Sequence, residues 1–289
     1  ACNPLIADMY TSNRTTMLNK FHVWFPGGIV IGALATNFMN TLGLGWQLKI
    51  AIMIIPTLIY GFMFFKAIFP KSENIDTDTS NNIKSLFSLL FIFIAVCMTL
   101  TATTELGTQQ WLQPLLEKSG ANPMLILAMT TGIMAVGRYF AGPIVHKLNP
   151  IGVLFMSAIV STVAIYFMSI ADGTALYGAA ILFAFGVCYF WPTMIGFVAE
   201  YIPKTGALGM SLVGGMGMFA TGIWNPIIGS WIDTNTKNAL ESGLSQDLAE
   251  VVAGKATLAN MTYFPLILIV FFGILFIDRK KLEKLRING

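Results

Sequence analysis

Polar chemistry is concentrated at the end of one apolar run. Leu86 to Leu100 carries no charge except through its flanks, and the chain then places Thr101, Thr103, Thr104, Glu105, Thr108, Gln109, Gln110 and Trp111 in quick succession. Glu105 is the only acidic residue well inside a complete apolar span; Glu200 stands at a span end. A charge at membrane depth costs on the order of 2.5–3.5 kcal/mol on insertion scales, so such a residue faces a cavity or a partner and marks a functional site by default. Helical spacing puts Thr101, Glu105, Thr108 and Gln109 on one face. That face reads as the wall of a solute pathway, against the alternative of a helix end in the headgroup region. Glu105 is the candidate coupling and solute-binding residue, Gln109 and Gln110 are candidate hydrogen-bonding residues, and Trp111 is the stacking platform for an apolar solute face. The only Lys or Arg placed in the outer half of a span is Lys49, so a permanent ion pair at Glu105 is not expected.

Further candidates lie downstream. Tyr189, Phe190, Trp191 and Pro192 fall mid-span, where Tyr and Trp need partners for their polar atoms and a proline frees a carbonyl. Trp191 is taken as solute-binding, with packing as the equal alternative. In Gly206–Ile232 the glycines read as helix packing, whereas Asn225 and Trp224 are better placed for solute contact. Gly137 and Arg138 open GRYFAGPIVHK, ahead of Lys147. Gly137 permits close helix approach, and Arg138 can pair with a neighbouring carboxylate to hold one conformation, a gate.

Other chemistries lack their residues. There are two His, no HExxH, no Cys/His cluster and no nucleophile elbow, so neither a metal site nor hydrolysis is indicated. The GGMG cluster has no strand before it and is not a nucleotide loop. Cys2, Cys97 and Cys188 are far apart and show no redox spacing. No cofactor and no nucleic-acid surface is expected, and the chain does not read as an enzyme.

These residues must be positioned by membrane helices. Of 289 residues 55% are hydrophobic and 11% charged, against about 25% charged in soluble domains. The apolar runs are too long for barrel strands. They fall at Phe21–Phe38, Trp46–Phe69, Ser85–Gln113, Pro123–His146, Ile151–Ile170, Thr174–Tyr201, Gly206–Ile232 and Leu258–Ile277, after a fragment ending near Tyr10. The chain begins inside that fragment and is expected to lack its first helices. Pro70–Lys84 is a polar linker, and Asp233–Lys255 is expected to be the longest loop, with a short surface helix. Alternating the spans puts 13 of the 17 Lys and Arg residues on the side of the Thr11–Lys20 loop. By the positive-inside rule that side is cytoplasmic, as is the C-terminus.

Two regions share their punctuation. Asn3-Pro4 is followed by Gly27-Gly28, and Trp191-Pro192 by Gly214-Gly215, at nearly equal spacing. This fits parallel repeats of six helices, the arrangement of major facilitator halves. Gly137–Lys147 resembles the second-half copy of that superfamily's glycine-arginine loop signature. Ala1-Cys2-Asn3-Pro4, Leu18-Asn19-Lys20-Phe21-His22 and the Trp111 and Trp191-Pro192-Thr193 neighbourhoods resemble the fucose–proton symporter group of the major facilitator superfamily. The resemblance implies an all-α polytopic membrane protein. Residues 1–69 are then the remainder of an N-terminal helical unit, 70–84 a cytoplasmic linker and 85–289 a complete six-helix unit. It further implies a secondary transporter in the inner or plasma membrane, moving a small polar solute, a sugar, by alternating access with proton coupling. The group's acids on its first and fourth helices fall outside the chain, His22 replaces a glutamine, Phe25 replaces an asparagine, and Glu105 has no acidic counterpart. The solute and the choice of protons or sodium therefore stay open. A non-transporting receptor or scaffold, or a lipid-directed membrane enzyme, are the alternatives.

Overall fold

A computed structural model describes residues 2–68, 79–111 and 123–288, and these form helices with no strand among them. Short helices α1 (Cys2–Met9) and α2 (Arg14–Phe21) lead into α3 (Trp24–Thr41), α4 (Trp46–Ala51) and α5 (Ile54–Lys66). After the undescribed stretch come α6 (Thr79–Leu86) and α7 (Leu89–Ala102), the latter prolonged by a π-helical turn at Thr103–Gly107 and further helix to Trp111. Then follow α8 (Pro123–Tyr139), α9 (Ala141–Ile170), α10 (Thr174–Val187), α11 (Phe190–Tyr201), α12 (Gly206–Glu241), α13 (Gln246–Met261), α14 (Tyr263–Ile277) and α15 (Arg279–Asn288). Among the described residues, seven stretches are long and apolar enough to cross a membrane, and Met124–Tyr139 is a shorter apolar helix.

Each element starts or stops for a local reason. The Ser88 hydroxyl accepts from the Phe91 amide at 3.3 Å and caps α7, so the span begins there and not at Ser85. Asn149 precedes Pro150, which disfavours helical geometry at the residue before it. Asn149 takes φ 56, and its side chain accepts from the Gly152 amide at 2.9 Å, so α9 is two helices meeting at a kink.

Packing follows small residues and apolar faces. α7 packs on α12 and α14, α9 on α10 and α14, α8 on α10 and on α3, and α2 on α11. Phe91, Ile94, Met98, Met134, Phe183, Phe190, Leu268 and Phe272 lie in one continuous core. α4 and α5 bury no residue, and their outer surface is Ile, Leu, Met and Phe, as suits lipid contact.

One expectation is corrected. Asp233–Lys255 is not a loop: α12 runs to Glu241, and only Ser242–Ser245, with Gly243 at φ +88, separates it from α13. Ala239, Ala249 and Ala253 are buried, and Asn235 donates to Thr257 at 3.3 Å, so the hairpin is packed throughout. At 36 residues α12 is about 54 Å long at 1.5 Å per residue, well beyond a hydrocarbon core of about 30 Å. Of the expected linker, residues 70–78 lie outside the described residues, while residues from Thr79 form α6 and pack against Pro203–Thr205.

The basic residues Arg14, Lys20, Lys147, Lys204 and Arg279 cluster at one end of the molecule, where α2, the start of α9, the end of α11 and α15 meet. A close helix crossing lies elsewhere. A Cβ on Gly186 would lie 2.6 Å from the Ser161 backbone nitrogen and 2.7 Å from its Cα. Gly186→Ala must therefore push α9 and α10 apart, at a cost of about 1–3 kcal/mol. Thermal unfolding in detergent should show a lowered midpoint, and an unchanged midpoint would refute this account of the crossing.

Candidate functional site

The site is built where α7 changes its winding. Thr101, Thr103 and Thr104 turn their hydroxyls back onto the carbonyls of Met98, Thr99 and Leu100 at 3.0, 2.8 and 2.7 Å. Such back-bonding competes with the helical ladder and bends it. The π-turn Thr103–Gly107 follows, a feature frequent at functional sites. It inserts a residue into the turn, so the side chains beyond it are rotated away from the face that regular spacing gives. Glu105 lies within that turn and is fully enclosed.

Glu105 is paired. Arg138 Nη2 donates to Glu105 Oε1 at 2.8 Å, with the two side chains 1% and 2% exposed. This corrects the expectation of no permanent ion pair. Lys49, the cation considered there, donates to Asn40 instead. Arg138 lies in the last turn of α8, which ends at Tyr139, and its side chain is buried in the interior.

Arg138 has two further acceptors. Its Nε donates to the Cys188 carbonyl at 2.7 Å and its Nη1 to the His22 carbonyl at 3.4 Å. Three donor groups of one rigid fork thus join α7, the junction of α2 and α3, and the break between α10 and α11. Gly137 makes this possible: a Cβ there would stand 2.7 Å from Cys188 Sγ. The Gly137 carbonyl also accepts from the Tyr189 hydroxyl at 3.1 Å.

The other candidate residues separate into groups. Asn225 on α12 donates to Gln110 Oε1 at 2.6 Å, joining two residues 115 positions apart. The Trp111 ring packs over Gly229, and the Trp191 ring over Gly217 beside Met98. Gln109 turns toward α8, donating to Met134 Sδ at 3.2 Å, one turn along α8 from Arg138, the partner of Glu105. Trp224 packs edge-on against Phe264 at 4.7 Å within an aromatic cluster that includes Trp231.

Among the described residues, several enclosed polar atoms have no hydrogen-bond partner: Glu105 Oε2, Thr108 Oγ1, Trp111 Nε1 and Asn225 Oδ1. Buried polar atoms in folded proteins are almost always bonded. Acceptors on Glu105 and Asn225, a donor on Trp111 and a hydroxyl that does both form a set suited to a polyhydroxylated or amide-bearing solute. Among the described residues no group of His, Cys, Asp and Glu could hold a metal ion.

A sequence profile of the Major Facilitator Superfamily matches residues 1–225. The chain belongs to the major facilitator superfamily. No curated protein and no solved structure matches it. With its apolar helices, membership makes this chain a multi-pass membrane transporter. In such transporters substrate and ion sites lie near the membrane midplane, between the helical repeats.

Sequence reasoning missed a second constellation of this major facilitator protein, at its basic end. Glu200 Oε1 accepts from the Thr15 amide at 2.9 Å, and Glu200 Oε2 lies 2.9 Å from Arg286 Nε. Arg14 donates to the carbonyls of Ala7 and Ala199 at 3.2 and 2.8 Å. Asn19 donates to Thr193 Oγ1 at 3.3 Å, and the Tyr201 hydroxyl to Glu283 at 2.6 Å. Glu200 at a span end, with arginines in the first loop and the tail, was the available signal.

Removing one member of a buried pair strands the other as an unpaired charge. Arg138→Ala should cost about 3–5 kcal/mol, seen as a lower melting midpoint in detergent, whereas replacing both members with apolar residues should cost less than the sum. Additive losses in the double variant would mean that the two charges do not interact.

Proposed function

We propose that this major facilitator protein is a secondary active transporter that moves a small polar solute, a sugar, by alternating access with proton coupling at Glu105. The observation that carries the reading is the enclosed Glu105–Arg138 pair, which leaves one carboxylate oxygen over, together with the further unpartnered polar atoms of Thr108, Trp111 and Asn225 on α7 and α12 among the described residues. A carboxylate between a cation and an empty hydrogen-bonding set has two states. Ionised, it holds Arg138; protonated, it becomes a neutral donor and releases its share of the guanidinium. Gln110, Trp111, Trp191 and Asn225 then line the solute path at successive levels along α12, Trp191 beside Gly217 and Trp111 beside Gly229, each indole a separate stacking surface for the apolar face of a sugar. Gln109 serves as a support against Met134.

The same reading divides the chain into residues 1–69 and 85–289, joined by 70–84, and places the basic end in the cytoplasm. The contacts of α2 with α11 then close the cytoplasmic side between the two units. Gly137 and Arg138 act as the gate from within the bundle, through the helices that Arg138 joins, and not from a surface loop.

Proteoliposomes of the full-length protein test this. Glu105→Gln keeps the shape and removes the charge change. The variant should still exchange labelled sugar across the membrane but fail to accumulate it under a pH gradient. Accumulation at the wild-type level would remove Glu105 from coupling, and a parallel fall in both activities would reduce it to solute binding. Absence of any solute flux in the wild type would favour a receptor.

A further inference from the structure

The span Thr174–Tyr201 is interrupted at Cys188 and Tyr189, where the helix is broken in two. The cause is Pro192, which has no N–H to give to the carbonyl four residues back and whose ring pushes that carbonyl aside. That carbonyl belongs to Cys188. The ladder runs to Cys188 N on Ala184 O at 3.1 Å and resumes with Thr193 N on Tyr189 O at 3.1 Å. An orphaned carbonyl inside a membrane bundle costs as much as a lost hydrogen bond unless something else satisfies it.

Here the substitute donor is Arg138 Nε, at 2.7 Å from the Cys188 oxygen. The same guanidinium holds Glu105 through Nη2 at 2.8 Å, so the carbonyl side of the break is tied to the ion pair through the arginine. Two more contacts tie the break to α8: Cys188 Sγ with the Met134 carbonyl at 3.4 Å, and the Tyr189 hydroxyl on the Gly137 carbonyl at 3.1 Å.

We propose that the Glu105–Arg138 pair stands in for the helical hydrogen bonds that Pro192 removes, so that the charge state of the pair sets the bend between α10 and α11. Pro192 is thus a positioning residue: it frees the carbonyl that lets helix geometry sense Glu105. Placing a proton on the Glu105 carboxylate breaks the charge-assisted bond to Arg138 Nη2, while the guanidinium stays protonated. The fork is then held on one side only, and its grip on the Cys188 carbonyl loosens with it. Because α11 carries Thr193, Ala199 and Glu200, which bond Asn19, Arg14 and Thr15, a change of bend is delivered directly to the contact between α11 and α2. The idea deepens the transport reading and rests on it for its purpose, but the mechanical link stands or falls separately.

Spin labels at Phe185 and Lys204, both exposed and on opposite sides of the break, report the bend in full-length protein carrying Cys2→Ser. Glu105→Gln should shift their mean separation by about 2 Å, the scale of helix displacements in switching proteins. In a Pro192→Ala chain the restored N–H can bond Cys188 O, and the same Glu105→Gln change should leave the separation where it was. If Glu105→Gln does not give monodisperse protein, Arg138→Lys should produce the shift, since one ammonium cannot serve both acceptors in the fork's geometry. No shift on losing the pair, or an equal shift in the Pro192→Ala chain, overturns the proposal. Failure of sugar flux with the shift intact would instead overturn the transport reading alone.

Discussion

Two charges buried together at the centre of a membrane bundle constrain everything around them. Desolvating Glu105 and Arg138 costs several kcal/mol per ion, and their mutual attraction offsets it only if the remaining donors and acceptors are also met. The guanidinium meets this condition by reaching the carboxylate, the Cys188 carbonyl and the His22 carbonyl at once. Each acceptor depends on an irregularity elsewhere: the π-turn that carries Glu105, the proline break that frees Cys188, and the disturbed winding where α2 passes into α3. Gly137 is required so that α8 comes near enough to deliver the fork. A set of departures from regular helix thus converges on one ion pair.

This explains which parts of the molecule were legible in the sequence. Hydropathy located the spans because lipid exposure acts on every residue of a helix surface. It did not reveal that α12 and α13 continue as a packed hairpin, because Ala239, Ala249 and Ala253 contribute small surfaces between polar neighbours. Glu105 stood out because a lone acid in an apolar run is costly wherever it points. Arg138 was legible as a residue able to pair with a neighbouring carboxylate, but that the carboxylate is Glu105 depends on how the helices are assembled. The π-turn left no mark that residue spacing could register.

The pairing of Gln110 with Asn225 shows the same limit from another side. Each residue was singled out by type, polar and within or beside an apolar helix. Their meeting depends on how α7 lies against α12, which no local pattern encodes. The unpartnered atoms of Thr108, Trp111 and Asn225 belong to this class, since satisfaction is a property of the assembled bundle. Chemistry that comes from one residue in one helix is readable early, and chemistry that comes from juxtaposition waits for the fold.

The clasp at the basic end has a thermodynamic consequence. Thr15, Arg14 and Asn19 bond α11 in this arrangement of the helices, and Arg286 brings the tail helix onto the same carboxylate. Contacts formed in one conformer and absent from its alternative weight the resting populations by their summed free energy, about tenfold for each 1.4 kcal/mol. A cargo that binds both conformers equally leaves that ratio untouched however tightly it binds. In the proposed alternating-access cycle the clasp sets a threshold of selectivity: only a ligand whose affinity differs between the two conformers by more than the clasp contributes reverses which of them dominates.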